Sequence, residues 1–238
     1  QDSSSAASDV YKRQLLDLSP RLDSVQRAMI DGILETTFPG ASWTWEWLSR
    51  GGGRVDRLSV WVGSLSSDSP NRCIRVGRKR VISSIEGRGS GANSTSFGSV
   101  MEIPRDAYLT IVDPVLIESG LQSSWHGKAI TGGTGSSWVR TEGRRPLLIH
   151  TDEISDDDDV RGFVVATGRI VQHRLSPPEL NTIDQVASSV ARQGISNITL
   201  RCNLDPEIHP TLQRRITREL KGSEGTKGFM VDLSLIHI

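Results

Sequence analysis

Apolar and polar positions are most sharply patterned between Arg145 and Arg174. Two β-rich runs, Pro146 to His150 and Val160 to Val171, bracket the acidic stretch Thr151 to Asp159. β-Branched runs bounded by turn residues predict strands, and here a hairpin with a long acidic tip. Further upstream, Trp43, Trp45 and Trp47 alternate with Ser42, Thr44 and Glu46, which places three indoles on one face of a strand. Such a row is either the buried face of a sheet or a stacking platform for bases or sugars. Leu58 to Leu65 reads as a second strand and Cys73 to Ile85 as a third, with Ser66 to Asn71 as the turn between them. The three make a β-meander. Val100 to Ile103 and Tyr108 to Val112 are short strands around Pro104, and Asp113-Pro114 opens a helical turn ended by Gly120.

Helical periodicity marks three segments. Ser19-Pro20 supplies an N-cap hydroxyl and a proline at the first helical position. Leu22, Val25, Met29, Ile33 and Leu34 then recur at helical spacing, opposite Asp23, Arg27, Asp31 and Glu35, so the apolar side is expected to face the core. Near the other end, Leu180, Ile183, Ala187 and Val190 form a stripe closed by Gly194. Ile198, Leu200, Cys202 and Leu204 alternate as a half-buried strand. Asp205-Pro206-Glu207 announces a last helix carrying Ile208, Leu212, Ile216 and Leu220. The fold class that follows is α+β. We expect mostly antiparallel sheet after an N-terminal helix, then a C-terminal β-β-α-β-α unit with its helices on one face. In domain terms, 15–86 is helix plus meander, 87–99 a Gly/Ser-rich loop or boundary, 100–221 the α+β portion, and 222–232 a polar tail.

The two ends change how much of the chain counts as native. Asp9 to Gln14 can be encoded by a DNA string whose reverse complement encodes Leu233 to Ile238. That inverted repeat resembles the transposon-end adapter of sequencing libraries, so 1–14 and 233–238 are expected to be adapter-derived residues on a metagenomic fragment. Twenty-eight basic residues balance 28 acidic ones. A neutral chain has no global attraction to nucleic acid or an anionic membrane, so binding of a polyanion must use a local patch. No apolar run reaches membrane-spanning length, and no membrane partner is expected. Two cysteines, Cys73 and Cys202, define neither a zinc knuckle nor a disulfide framework, which fits a reduced, cytoplasmic setting.

Candidate chemistry is sparse. Arg75, Arg78, Lys79 and Arg80 crowd the third strand or a turn within it, and Arg214, Arg215 and Arg218 sit on the last helix together with Lys221. Guanidinium forks suit phosphate oxygens, so these positions are candidate nucleic-acid or phosphate contacts. The bland alternatives are a charge-protected edge strand and cations that complement a helix C-terminus. Gly127-Lys128-Ala129-Ile130-Thr131-Gly132 reads as a short strand running into a glycine turn, an anion loop using Lys128, with His126 as a candidate acid–base group. His150 and the acids from Asp152 to Asp159 are the densest set of hard-metal ligands, yet they lack Ca²⁺-loop spacing, and no metal site is expected. No cofactor is implied. Three functions stay open: a non-catalytic nucleic-acid or polyanion-binding module, a hydrolase or transferase acting on a phosphorylated small molecule, and a structural or assembly subunit.

Overall fold

The structure, a computed structural model, describes residues 13–78, 80–89, 103–104, 106–132, 135–139, 145–171, 183–201 and 206–231. The chain opens with β1 (Arg13–Leu18), α1 (Ser24–Thr37), β2 (Trp43–Ser49), β3 (Arg57–Gly63), β4 (Asn71–Val76) and β5 (Val81–Gly87). Next come β6 (Tyr108–Val112), α2 (Val115–Glu118), α3 (Gln122–Ala129), β7 (Ser137–Val139), β8 (Leu147–His150), α4 (Asp158–Arg161) and β9 (Val164–Val171). Last are α5 (Ile183–Arg192), β10 (Ile195–Arg201), α6 (His209–Glu219) and β11 (Thr226–Val231). Helices and mixed sheets together place the protein in the α+β class. Two compact units form: one from Gln1–Ser96, Asp113–Thr131 and Ile154–Phe163, the other from Phe97–Val112, Gly132–Glu153 and Val164–Ile238. Most of the expected 87–99 loop, the strand at 100–102, the approach to α5 at 172–182, and Cys202 to Asp205 lie outside the described residues.

The first unit holds a five-stranded sheet in the order β1-β3-β2-β4-β5. The meander expectation is corrected here, because β4 pairs parallel with β2 while β3 takes β2's other edge. Cys73 to Ile85 is likewise two strands, since Gly77 N–H bonds the Arg80 carbonyl and folds the chain back. Pleat alternation sorts the side chains by face. Trp45, Trp47, Leu58, Val60, Cys73 and Ile85 are buried on one face. Glu46, Arg72 and Glu86 form a cross-strand ionic row on the other. The tryptophan row is therefore core, with Trp45 and Trp47 only 5% and 3% exposed.

α1 starts four residues later than Ser19-Pro20 suggests. Asp23 accepts from Gln26 N–H at 2.8 Å while the Gln26 side chain accepts from Asp23 N–H at 3.0 Å. That reciprocal capping box satisfies two donors, which Ser19 alone cannot match. The orientation of α1 also reverses the expectation. Asp31 Oδ1 accepts both the Trp43 and Trp45 indole N–H groups, at 2.8 and 2.9 Å, and the Arg27 guanidinium lies 5.5 Å from the Trp47 ring centroid. Leu34 is buried, but Val25, Met29 and Ile33 face solvent. Indole N–H groups beneath a helix need an acceptor, and a carboxylate between them serves two at once.

In the second unit the order is β10-β11-β9-β6-β8-β7. The expected hairpin of β8 with β9 does not form, since β6 lies between them and pairs antiparallel with both. β9 also begins later than Val160, because Asp157 caps a helical turn over Asp158–Arg161. The C-terminal β-β-α-β-α expectation becomes β9-α5-β10-α6-β11, three parallel strands with the last inserted between the first two. α5 and α6 share one core with Val171, Ile198, Leu200 and Met230, so both pack on the same face. Leu109, Ile111, Ile149, Ile170 and Phe229 fill the other. α6 begins at His209 with Pro210 in its first turn, and Pro206 belongs to the preceding turn. The supposed polar tail contains β11, a strand hidden in the sequence by glycines needed for close approach.

Those glycines generate a test. A Cβ on Gly168 would stand 2.4 Å from the Lys227 carbonyl oxygen, forcing β9 and β11 apart. Gly127 in α3 has nothing within 4 Å of its Cβ position. We expect Gly168→Ala to cost roughly 1–3 kcal/mol, as overpacking does. Gly127→Ala should stabilise by about 0.5–1 kcal/mol through helix propensity. Urea unfolding midpoints of the two variants check both signs.

Candidate functional site

β4 carries the basic cluster singled out in the sequence, and alternation splits it. Arg72 and Arg75 point to opposite faces. Arg72 Nη2 lies 2.6 Å from Glu46 Oε2, with Glu86 on its other side at 3.5 Å and the Trp61 ring centroid at 5.7 Å. Arg75 Nε lies 3.8 Å from Oδ2 of Asp113, a carboxylate only 1% exposed. The same Asp113 accepts from Ser49 Oγ at 2.7 Å and from Val115 N–H at 3.1 Å, holding β2, β4 and α2 together. Arg75 is thus taken up by a structural ion pair and is not presented alongside its neighbours. Arg78 and Arg80 are exposed at the β4–β5 turn, and Lys79 lies outside the described residues. β4 is flanked by β2 and β5, whereas β5 ends the sheet order, so only the β5 half of the expected third strand lies at an edge.

The second basic set keeps its helix. Leu212, Ile216 and Leu220 are buried, which fixes the roll of α6 and turns Arg214, Arg218 and Lys221 outward. Arg214 and Arg218 fall at i and i+4 along one side of the helix, and Lys221 follows just past its end. Arg214 Nε donates to the Pro210 carbonyl at 3.1 Å, and Arg218 Nη2 lies 3.4 Å from Glu219 Oε1, with the Arg218 side chain 69% exposed. Arg215 is half-buried and engaged.

The expected anion loop is a helix over its first half. Gln122, Trp125 and Ala129 are buried at i, i+3 and i+7, a periodicity overlooked in favour of the glycines. Trp125 Nε1–H donates to the Val160 carbonyl at 3.1 Å, which anchors α3. His126 and exposed Lys128 sit two residues apart on α3 and so diverge by roughly 200° around its axis. Gly132, meanwhile, has the Asp152 carboxylate 2.7 Å from where its Cβ would be, a negative charge where an anion would have to approach. Burial lowers the His126 pKa below its usual 6.5.

Part of the acidic stretch is engaged locally, through the Asp156 and Asp157 carboxylates and the Asp158 and Asp159 backbone. Asp157 caps α4, Asp156 pairs with Arg161, and the Ser83 hydroxyl donates to the Asp158 and Asp159 carbonyls. Among the described residues no three His, Cys, Asp or Glu side chains converge as metal ligands. His150 is wholly buried in the second unit. Its Nδ1–H faces the Asp152 carbonyl at 2.6 Å, which leaves Nε2 to accept from Thr110 Oγ1–H at 2.9 Å. Thr110 in turn meets Thr167 at 2.7 Å, and the Tyr108 ring stacks on the imidazole at 5.6 Å. This is a satisfied core network that orients strands and leaves no free base. Cys73 is equally inert, since burial raises its thiol pKa to about 12. An open cavity of about 430 Å³ in the first unit, lined by Pro20, Arg21, Arg54, Asp56, Pro114 and Glu118 among others, contains none of the candidate residues.

No family model, curated protein or solved structure matches the chain. Among the described residues, no helix is long and apolar enough to cross a membrane.

Two outcomes follow. Asp113→Ala strands the Arg75 charge and leaves Ser49 Oγ and Val115 N–H without their acceptor, so it should cost about 3–5 kcal/mol in a denaturant titration. For His126 the folded pKa is depressed, so between that value and 6.5 the unfolded chain binds more protons and stability falls as pH drops. His126→Gln should leave the unfolding midpoint unchanged at about pH 7.5 and reduce its decline toward about pH 5.

Proposed function

We propose that this chain is a non-enzymatic module that binds nucleic acid through its phosphate backbone, using Arg214 and Arg218 of α6 and Lys221 just past its end. Arg78 and Arg80 at the β4–β5 turn, in the first unit, are a separate candidate contact. The observation that carries the proposal is the exposed cationic row on α6, held in a fixed roll by a fully buried apolar stripe. Arg72 and Arg75 differ, because carboxylates within the fold bind them. A helix presenting charges at one-turn spacing offers guanidinium forks to phosphate oxygens without needing base contacts. Zero net charge means that attraction is local, so affinity is modest and steeply salt-dependent. A hydrolase or transferase built on His126 and Lys128 has less support, because the two side chains diverge on α3.

The test is a fluorescence titration of a labelled single strand and a labelled duplex at two salt concentrations. We expect micromolar binding that weakens with salt. Replacing Arg214 and Arg218 together by Ser should flatten the log–log salt slope by about 1.8 for duplex and about 1.4 for single strand. Absence of binding by the parent chain, or an unchanged slope, contradicts the assignment.

A further inference from the structure

Independently of nucleic-acid binding, the second unit closes a strand edge with the side chains of a helix. β10 ends the sheet order, and among the described residues β11 is its partner strand. Ile195 to Leu200 contains no proline and no charged residue, two of the usual safeguards of an edge. Along α6, His209, Gln213 and Thr217 fall at i, i+4 and i+8, a single row up the helix. Gln213 Oε1 accepts from Leu200 N–H at 2.9 Å, and Gln213 Nε2 donates to the Ile198 carbonyl at 2.6 Å. A parallel neighbouring strand would make the same two bonds through its residue opposite Thr199. The carboxamide therefore stands in for one residue of a missing strand. It is held in that orientation, because Nε2 also donates to Thr217 Oγ1 at 3.2 Å and Thr217 Oγ1 donates back to the Gln213 carbonyl at 2.7 Å. His209 Nε2–H donates to the Leu200 carbonyl at 3.4 Å, so the next acceptor on the same edge is covered too.

We propose that the His209–Gln213–Thr217 row is a built-in guard that keeps the β10 edge from pairing with the β10 edge of a second copy. Water satisfies the backbone groups of an open edge, so these bonds are not needed to avoid orphaned donors. Nor are they needed to seat the helix, because Leu212, Ile216 and Leu220 are already buried beneath α6. What the row adds is occupancy of the positions that an incoming strand must take. A bare β10 edge would be self-complementary: a two-fold axis beside it pairs the strand antiparallel with its own copy and closes a dimer. β7, at the far edge of the same sheet, is three residues long and is protected by shortness alone.

The experiment combines sedimentation of the full chain, from about 1 μM to about 1 mM, with residue-resolved amide hydrogen exchange. In wild type the Leu200 amide should be protected at every concentration, and this edge should add no mass. Gln213→Ala empties the position. Its Leu200 amide should exchange at least about tenfold faster in dilute solution and regain protection as the protein associates at high concentration. Gln213→Glu separates guarding from stability. At neutral pH it loses the bond to the Ile198 carbonyl, yet it leaves a charge on the edge and should stay monomeric. Gln213→Met, which keeps the helix and the side-chain volume, repeats the test if the alanine variant does not fold. Circular dichroism and tryptophan fluorescence confirm the fold of each variant. Free exchange of Leu200 in wild type overturns the proposal. So does a folded Gln213→Ala or Gln213→Met that stays monomeric, or a Gln213→Glu that associates as strongly as they do.

Discussion

One carboxylate sets the orientation of the first unit. Asp31 receives the indole N–H groups of both Trp43 and Trp45, which pleat alternation has placed on the same face of β2. An indole buried without an acceptor costs roughly 1–3 kcal/mol, so a single side chain that serves two is hard to replace. Once Asp31 and Arg27 are turned toward the tryptophan row, the roll of α1 is decided. The consequence is an exposed stripe of Val25, Met29 and Ile33, each forgoing about 1.5–3 kcal/mol of burial.

The second recurring device is a buried polar group that joins elements distant in sequence. Asp113 ties Ser49 on β2, Arg75 on β4 and the first turn of α2 within one carboxylate's reach. In the other unit, His150 and Thr110 link β8 to β6, and Thr167 extends the link to β9. Removing one partner from such a network strands the rest, so these residues act as structural keystones even where their types suggest catalysis. Among the described candidate cations, Arg214 and Arg218 on α6 and Arg78 and Arg80 at the β4–β5 turn are exposed and sit in pairs. That is why the functional reading rests on them.

How much of this was legible in the sequence depended on whether the deciding force was local. β2, β6, β10 and the apolar stripes of α5 and α6 follow from short-range periodicity and were read from it. α1 was found, but its stripe was turned the wrong way: a 3.6-residue period shows that a helix has two faces, and only the distant indoles say which is wanted. The hairpin of Pro146 to His150 with Val160 to Val171 failed for the same reason, because β6, some forty residues earlier, outcompetes the local pairing. β11 was missed because Gly225 and Gly228, which resemble a linker, are small so that neighbouring strands can close on them. α3 was masked by a glycine-rich stretch that drew attention away from Gln122, Trp125 and Ala129. Among the site candidates, exposure of Arg214 and Arg218 was foreseeable from the α6 stripe, whereas the capture of Arg75 by Asp113 required the tertiary fold.

The central claim, that Asp31 holds α1 with Met29 turned out of the core, is tested most directly by peroxide oxidation of methionine resolved by peptide mass spectrometry. Met29 is 65% exposed while Met230 is 4% exposed and supplies an internal buried reference. In dilute native protein Met29 should oxidise far faster than Met230. Met29 protected as fully as Met230 at high dilution would mean that the stripe faces the core, and the account of α1 would be wrong.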